Sequence, residues 1–354
     1  MSDSDFHISI KIPAKVIISG EFSCVFGCSV ITCPIPLFLC IESNIKSNQQ
    51  NKGQTIIKNK IIGEMKISNN INEINNLSNE NKIKDCFLKV YGHAINFYNI
   101  QKLVTEFDID ISLESEAPIG MGLGSSAAFI LSLFSLCKIL KYRSDVKNPL
   151  SFTQEETNEM KLVENIFHGK SSGIDIISIA SGCLGFYEKS NDEWRIKESI
   201  KEPNPPFYLL LINSNKSKNT IESLKDVLEK VANESIAMKS IEDISDITTE
   251  IFSCMSQGNL KTKFHKLLKK NHSHLKELSV SCESIDDIVD YFDNEEFGCK
   301  LTGGGRGGFA ITIFSKEEHS RISEIVLNLN QKGYECTEIL LDSFPQIIYT
   351  LEYL

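Results

Sequence analysis

The sequence predicts a mixed α+β fold in two domains, and three observations support this. Strict alternation of polar and apolar residues at 6–12 and 107–113 is typical of strands with one buried face. Apolar residues recur at helical spacing in 83–99 and 221–278. The chain has 354 residues, enough for two domains, and a cluster of three prolines at 203–206 marks a boundary between them.

Composition narrows the class of protein. The chain is 41% hydrophobic and 24% charged, with a formal net charge of −10. An acidic protein is a poor non-specific binder of nucleic acid, so we expect no nucleic-acid partner. The 11 cysteines form no C-x-x-C pair and fit buried thiols in a reducing compartment. The polar N-terminus, the lack of a signal peptide and of apolar runs of about 18 residues predict a cytoplasmic protein without a membrane segment.

The N-terminal elements follow from local patterns. A strand at 6–12 is interrupted at Pro13 and resumes at Lys15, before an apolar run at 30–41. A lysine at a strand start is most often a solvated edge residue, which is the alternative to a functional role for Lys15. Residues 43–82 are rich in Asn, Lys, Ser and Gln and cannot bury much surface. We interpret them as a hairpin excursion or a loose surface loop, and favour compositional drift over a functional lid.

A glycine-rich loop, P-I-G-M-G-L-G-S-S-A-A, joins the strand at 107–113 to a long apolar helix. Glycine allows positive φ and close approach of a ligand. The loop therefore delivers free N–H groups to a helix N-terminus, which favours a phosphate, while the serine hydroxyls can reach the phosphate or its Mg²⁺. The alternative is a glycine-rich turn before a core helix. The candidate phosphate-binding residues are Pro118, Gly120, Gly122, Leu123, Gly124, Ser125, Ser126 and Ala127.

The remaining elements contain two further polar loops. A helix at 156–167 leads into H-G-K-S-S-G-I-D, where Asp175 alone could be a helix N-cap. A turn into a strand follows at 180–187, then a buried strand at 207–212 and the helical stretch broken at Gly258. After a strand at 297–301, the loop T-G-G-G-R-G-G matches the spacing of a dinucleotide-binding fingerprint. That interpretation fails because a strand follows at 309–314 where the fingerprint needs a helix. A helix at 317–332 and strands at 335–341 and 346–351 complete the chain.

Four segments resemble motifs of the GHMP kinases, a family of small-molecule kinases. The glycine loop resembles P-x-x-x-G-L-G-S-S-A, and K-L-T-G-G-G-R-G-G resembles K-L-T-G-A-G-G-G-G-C. I-P-A-K-V-I-I-S-G-E-F-S-C-V-F-G resembles A-P-G-K-V-I-L-F-G-E-H-A-V-V-Y-G, the form carried by mevalonate kinases. The segment from Glu164 to Asp175 resembles their signature E-x-x-x-H-G-x-P-S-G-V-D. The segment N-S-N-K-S-K-N-T at 213–220 also resembles N-T-K-V-P-R-N-T of the mevalonate kinases, with Lys218 for Arg. The departures from the four other patterns are Ala14 for Gly, Phe22 for His, Ser171 for Pro and Arg306 for Gly.

The resemblance implies the two-domain α+β GHMP kinase fold. A nucleotide domain with a left-handed βαβ unit would span 1–205, and a ferredoxin-like α+β domain 206–354. It also implies ATP and Mg²⁺ as cofactors. The activity implied is ATP-dependent phosphorylation of (R)-mevalonate to 5-phosphomevalonate, in isoprenoid and sterol precursor biosynthesis. The alternatives are another small-alcohol or phosphomevalonate kinase of the family, and a non-catalytic metabolite sensor. The resemblance leaves open whether the protein forms a homodimer.

Roles carry over residue by residue from the resemblance. Asp175 would be the general base for the substrate hydroxyl, with Lys15 beside it. Ser126 and Glu164 would bind Mg²⁺, with phosphates and water completing its shell. A sensor would need no such base. The residues expected to contact the substrate are Lys15, Glu21, Asp175, Lys218, Thr220, Gly304 and Gly305.

Overall fold

The computed structural model describes residues 5–50, 52–59, 63–69, 82–168, 171–191, 193–217 and 220–354. The strands, in chain order, are β1 (Phe6–Ser19), β2 (Val30–Ser47), β3 (Gln54–Asn59), β4 (Gly63–Ser68), β5 (Phe107–Ser115), β6 (Leu184–Ser190), β7 (Glu193–Ile200), β8 (Phe207–Asn213), β9 (Lys300–Thr302), β10 (Phe309–Phe314), β11 (Glu335–Leu341) and β12 (Ile348–Tyr353). The helices are α1 (Lys82–Tyr98), α2 (Gln101–Thr105), α3 (Ser125–Tyr142), α4 (Gln154–His168), α5 (Ile174–Ser181), α6 (Thr220–Asn233), α7 (Ser235–Ser256), α8 (Thr262–Glu277), α9 (Glu283–Asn294) and α10 (His319–Gln331). The predicted α+β class is confirmed.

The strands form two sheets. The first has the order β12-β1-β2-β5-β3-β4, with β6 beside β2 and β7 beside β6. Only β3 and β5 run parallel in it. The second sheet has the antiparallel order β11-β8-β10-β9. A boundary near residue 205 separates the two sheets, except that β12 returns from the end of the chain to pair with β1.

The strand β1 connects the two halves of the protein. The sequence predicted an interruption at Pro13, but β1 continues through a register shift between Pro13 and Ala14. Its isoleucines before the shift pack among α1 and α3, whereas Ala14 and the alternate residues after it pack against the second sheet. A bulge redirects side chains in this way. Lys15, the next residue, becomes fully buried instead of lying at a solvated edge.

The helix α3 is the centre of the first core. Twelve of its residues are buried, and it packs on α1, α4 and β1. A helix that is apolar on most sides belongs inside a protein or a membrane. Within the described part of the chain, α3 alone has the length and composition of a membrane span, and 67% of that window is buried inside the fold.

The Asn-rich segment contains a hairpin, which is one of the two interpretations of its sequence. The strands β3 and β4 pair antiparallel, and β3 also pairs with β5. The hairpin buries Ile57, Met65 and Ile67 in the first core, so these residues are structural. The rest of the segment includes residues 70–81, which lie outside the described residues. Their suggested lid role stays a prediction.

Candidate active site

The glycine-rich loop joins β5 to α3. Gly120, Gly122 and Gly124 have φ values of 78°, 100° and 77°, a region that disfavours residues with a Cβ. No side chain caps the N-terminus of α3 among the described residues, and its N-cap is Gly124 itself. The hydroxyl of Ser125 turns back to accept a hydrogen bond from the Gly120 N–H, 3.2 Å away. This cradle suits a phosphate, because backbone N–H groups and the helix dipole both favour an anion there.

The first strand holds this loop in place. The Lys15 N–H donates to the Leu123 carbonyl at 3.0 Å, which ties the loop to β1. A Cβ at Gly124 would lie 3.0 Å from Cγ of Lys15, so the lysine stem passes directly beneath the helix N-terminus. Pro118 is exposed at the loop entrance, whereas Leu123 and Ala127 are buried. The loop therefore delivers the lysine and the helix N-terminus to the same place.

Lys15 forms an ion pair with Asp175. Its Nζ lies 2.8 Å from Oδ1 of the aspartate, and the two side chains are 2% and 27% exposed. Asp175 sits in the first turn of α5, whose N-cap is Gly173, so the N-cap interpretation of Asp175 is wrong. A buried cation held against a partly exposed carboxylate leaves one face of that carboxylate open to a substrate. The two residues predicted as base and partner are thus in direct contact.

Glu164 is the second carboxylate of this site. It is 1% exposed near the C-terminal end of α4, and the Ser171 hydroxyl donates to its Oε2 at 2.5 Å. Burial and the nearby charge of Asp175 raise the pKa of Glu164 to about 7, against the opposing effects of Ser171 and Lys15. The carboxylates of Glu164 and Asp175 lie beside a single lysine, Lys15, and such a pair of carboxylates suits a divalent cation. Ser126, in the first turn of α3, has a hydroxyl that can act as a further ligand. The donor set therefore fits Mg²⁺ shared with a nucleotide.

A second buried ion pair joins the two sheets. Lys300, at the start of β9, places Nζ 2.5 Å from Oε1 of Glu21, and the side chains are 0% and 1% exposed. Burial raises the pKa of the Glu21 carboxyl, while Lys300 and Lys15 act to lower it. Glu21 was predicted to contact the substrate, whereas Lys300 was not predicted as a site residue. The sequence did contain a signal for Lys300, because it is a lysine inside an apolar strand directly before the loop T-G-G-G-R-G-G.

The loop after β9 packs against the first glycine loop. A Cβ at Gly303 would lie 3.2 Å from Gly122. The Thr302 hydroxyl donates to the Ile17 carbonyl at 2.9 Å. Gly304 faces Thr220 so closely that any side chain there would overlap the threonine.

Two further residues, Gly305 and Lys218, were predicted to contact the substrate. Gly305 packs on the Val280 carbonyl. Lys218 lies outside the described residues.

Two departures from the family pattern have structural explanations. Phe22 is 6% exposed and packs in the core formed by β8 and the C-terminal helices, so it does not line an open substrate wall. Its φ of 61° places it in the left-handed region. Arg306 is paired within the fold. Its guanidinium pairs with Asp226 of α6 at 2.7 Å, and its backbone N–H donates to the Val280 carbonyl.

Comparison with known proteins agrees with these features. The family profile of the GHMP kinases N terminal domain matches residues 85–183, and that of the GHMP kinases C terminal region matches 257–335. The mevalonate kinase of Methanocaldococcus jannaschii is 31% identical over 91% of this chain and 96% of its own length. The crystal structure of the Methanococcus jannaschii mevalonate kinase superposes with a TM-score of 0.74 at 25% identity, covering 98% of each chain. L. major mevalonate kinase in complex with R-mevalonate shares the fold, with a TM-score of 0.72 at 18% identity over 94% of this chain and 95% of its own.

Proposed function

Because the chain belongs to the GHMP kinase family and is an ATP-dependent phosphotransferase, we propose that it acts as a mevalonate kinase, converting (R)-mevalonate to 5-phosphomevalonate. The observation that carries the proposal is the Lys15–Asp175 pair beneath the uncapped N-terminus of α3. It combines a carboxylate that can take a proton with a site for phosphate. The curated relatives identify the alcohol as mevalonate.

The reaction needs positioning and charge neutralisation more than covalent chemistry. The glycine loop would hold the triphosphate of ATP through its backbone N–H groups at the N-terminus of α3. Asp175 accepts the proton of the acceptor hydroxyl as its oxygen bonds to the γ-phosphorus and the bond to ADP breaks. Lys15, paired with Asp175, stabilises negative charge on the reacting oxygens. Ser126 and Glu164 would hold Mg²⁺, which would supply charge neutralisation on the phosphates when bound.

The remaining assignments complete the proposal. Glu21, Thr220 and Gly304 contact the acceptor or the loop that covers it. We propose the cytosol as the compartment. The free thiols support it, since in the described residues, which include all 11 cysteines, none is in a disulfide.

A substrate panel tests the function. Purified protein with Mg²⁺-ATP is assayed for ADP release and for phosphorylated product on (R)-mevalonate, phosphomevalonate, galactose and homoserine. We expect turnover of mevalonate with kcat/KM at least tenfold above any other acceptor. A preference for another alcohol would assign the chain to a different kinase of the family. Absence of turnover with retained nucleotide binding would support the sensor alternative.

A further inference from the structure

The buried pair of Lys300 and Glu21 has an incomplete set of partners. Lys300 donates to Glu21 Oε1 at 2.5 Å and to the Leu301 carbonyl at 2.7 Å. Lysine is almost never fully buried unless it is paired. The other carboxylate oxygen, Glu21 Oε2, is buried without any hydrogen-bond partner among the described residues. A buried carboxylate oxygen without a donor is costly, so a partner that binds there is expected.

Glu21 lies near the proposed base. Cys24, three residues after Glu21, belongs to the same small buried cluster as Ile174, the residue before Asp175. The charge of Lys15, which pairs with Asp175, also acts on Glu21. Burial, with the negative charges of Asp175 and Glu21, raises the pKa of the Cys24 thiol to about 12 against the effect of Lys15. Glu21 is thus near Asp175 while its side chain pairs with Lys300 of the second sheet.

We propose that Lys300 is a positioning residue for the acceptor: it fixes Glu21 as an ionised carboxylate through Oε1, so that Oε2 accepts a hydrogen bond from an acceptor hydroxyl. This hydroxyl is a different one from the hydroxyl that reacts at Asp175. The inference rests on the proposed function, since mevalonate carries two hydroxyls. Lys300 itself touches neither the substrate nor the reacting atoms.

The surroundings explain why a lysine is required. The charged groups that face Glu21 are Lys300 from β9 and Lys15 from β1, with the thiol of Cys24 nearby. His272 of α8 is close enough to Lys300 for its pKa to be affected by the lysine charge, and burial lowers that pKa, so it stays neutral at pH 7. Burial alone favours a protonated Glu21. Removing Lys300 would raise the pKa of Glu21 further, and a protonated Glu21 has one acceptor oxygen fewer.

Kinetics of Lys300→Met and Glu21→Gln test the proposal from pH 6 to 9. Lys300→Met should raise KM for the acceptor about 10- to 100-fold, since a hydrogen bond to a charged group is lost. The loss should be largest at pH 6 and shrink toward pH 9, because Glu21 ionises again as the pH rises. KM for ATP should stay within twofold. Glu21→Gln should show a loss that does not vary with pH. Lys276→Met, at an exposed lysine of α8 that pairs with Asp286, is the matched control and should leave both KM values unchanged.

A double variant provides the test if Lys300→Met fails to fold. Removing both charges avoids an unpaired buried carboxylate, so Glu21→Gln combined with Lys300→Met should fold. Its acceptor KM should equal that of Glu21→Gln alone. A Lys300→Met or double variant that folds and keeps a wild-type acceptor KM at every pH overturns the proposal, while wild-type turnover of mevalonate leaves the function intact.

A wild-type protein inert on mevalonate would overturn the proposed function instead. The Lys300 proposal is then tested by infrared difference spectra, in which the wild type and Lys300→Met are each compared with Glu21→Gln. It requires an ionised Glu21 in the wild type at pH 7, and a protonated one in Lys300→Met. A protonated carboxyl in the wild type, or an ionised one in the variant, overturns it.

Discussion

Glu164 makes the stability of this protein depend on pH in a predictable direction. Burial first, and then the charge of Asp175, raise its pKa from 4.5 to about 7 in the folded state. Between those values the folded protein keeps a proton that the unfolded chain has lost. The free energy of unfolding must therefore fall as the pH rises through that window. Above pH 7 the difference corresponds to about 3 kcal/mol.

Glu164→Gln removes this titration without changing the size of the side chain. Urea unfolding, with EDTA and without nucleotide, measures it from pH 5 to pH 8. The variant should be close to wild type at pH 5 and more stable by up to about 3 kcal/mol at pH 8. The same variant should need more Mg²⁺ for half-maximal rate, because a proposed ligand is lost. Stability and activity would change in opposite directions.

Glu156 on the same helix is the matched control. It is also buried, but Lys138 lies 2.8 Å away and the Tyr98 hydroxyl donates to it. These contacts outweigh burial and hold the pKa of its carboxyl below the ordinary value. Glu156→Gln should lose about 3–5 kcal/mol at pH 7 and less in acid. A stability difference between Glu164→Gln and wild type that is the same at pH 5 and pH 8 would refute the reasoning.

Three further variants test the packing of the site. Gly120 and Gly124 have nearly equal φ, so Ala at either should cost about 1–2 kcal/mol in urea unfolding. Gly124→Ala, whose methyl group presses on Lys15, should lower kcat more than Gly120→Ala; an equal fall in both would contradict this. Phe22→His should lose about 2–4 kcal/mol of unfolding free energy, since it places an imidazole in a core; tighter mevalonate binding would instead indicate a substrate contact. Arg306→Gly should change stability by less than about 1 kcal/mol and leave KM for ATP unchanged, whereas a tenfold higher KM would indicate a phosphate contact.

Most elements of the fold could be predicted because their signal is local. The helix expected at 83–99 is α1, at Lys82–Tyr98, since its apolar face repeats every three to four residues. The pairing of β12 with β1 depends on residues more than 300 positions apart and has no local signal. The sequence left open whether the Asn-rich segment forms a hairpin or a loop, because the polar β3–β4 pair is anchored by a few buried residues. The helix α9 and the strand β7 were not predicted.

In the candidate site, too, features with a local sequence motif were predicted, whereas contacts between distant residues were not. Lys15, Asp175 and the glycine loop were identified by motif, and the structure places them in contact. The pairing of Lys300 with Glu21 joins residues 279 positions apart, so no spacing rule could reveal it. The burial of Phe22 has no local signal either, because the helices that cover it come much later in the chain.

The most direct test of the account is the rate of Asp175→Asn with Mg²⁺-ATP and mevalonate, measured beside the affinity for ATP. The side chain keeps its shape but is no longer a base. If Asp175 accepts the hydroxyl proton, kcat should fall by about 10²-fold or more while ATP affinity is largely kept. A variant whose kcat stays within a few-fold of wild type on mevalonate would contradict the assignment of Asp175 as the base.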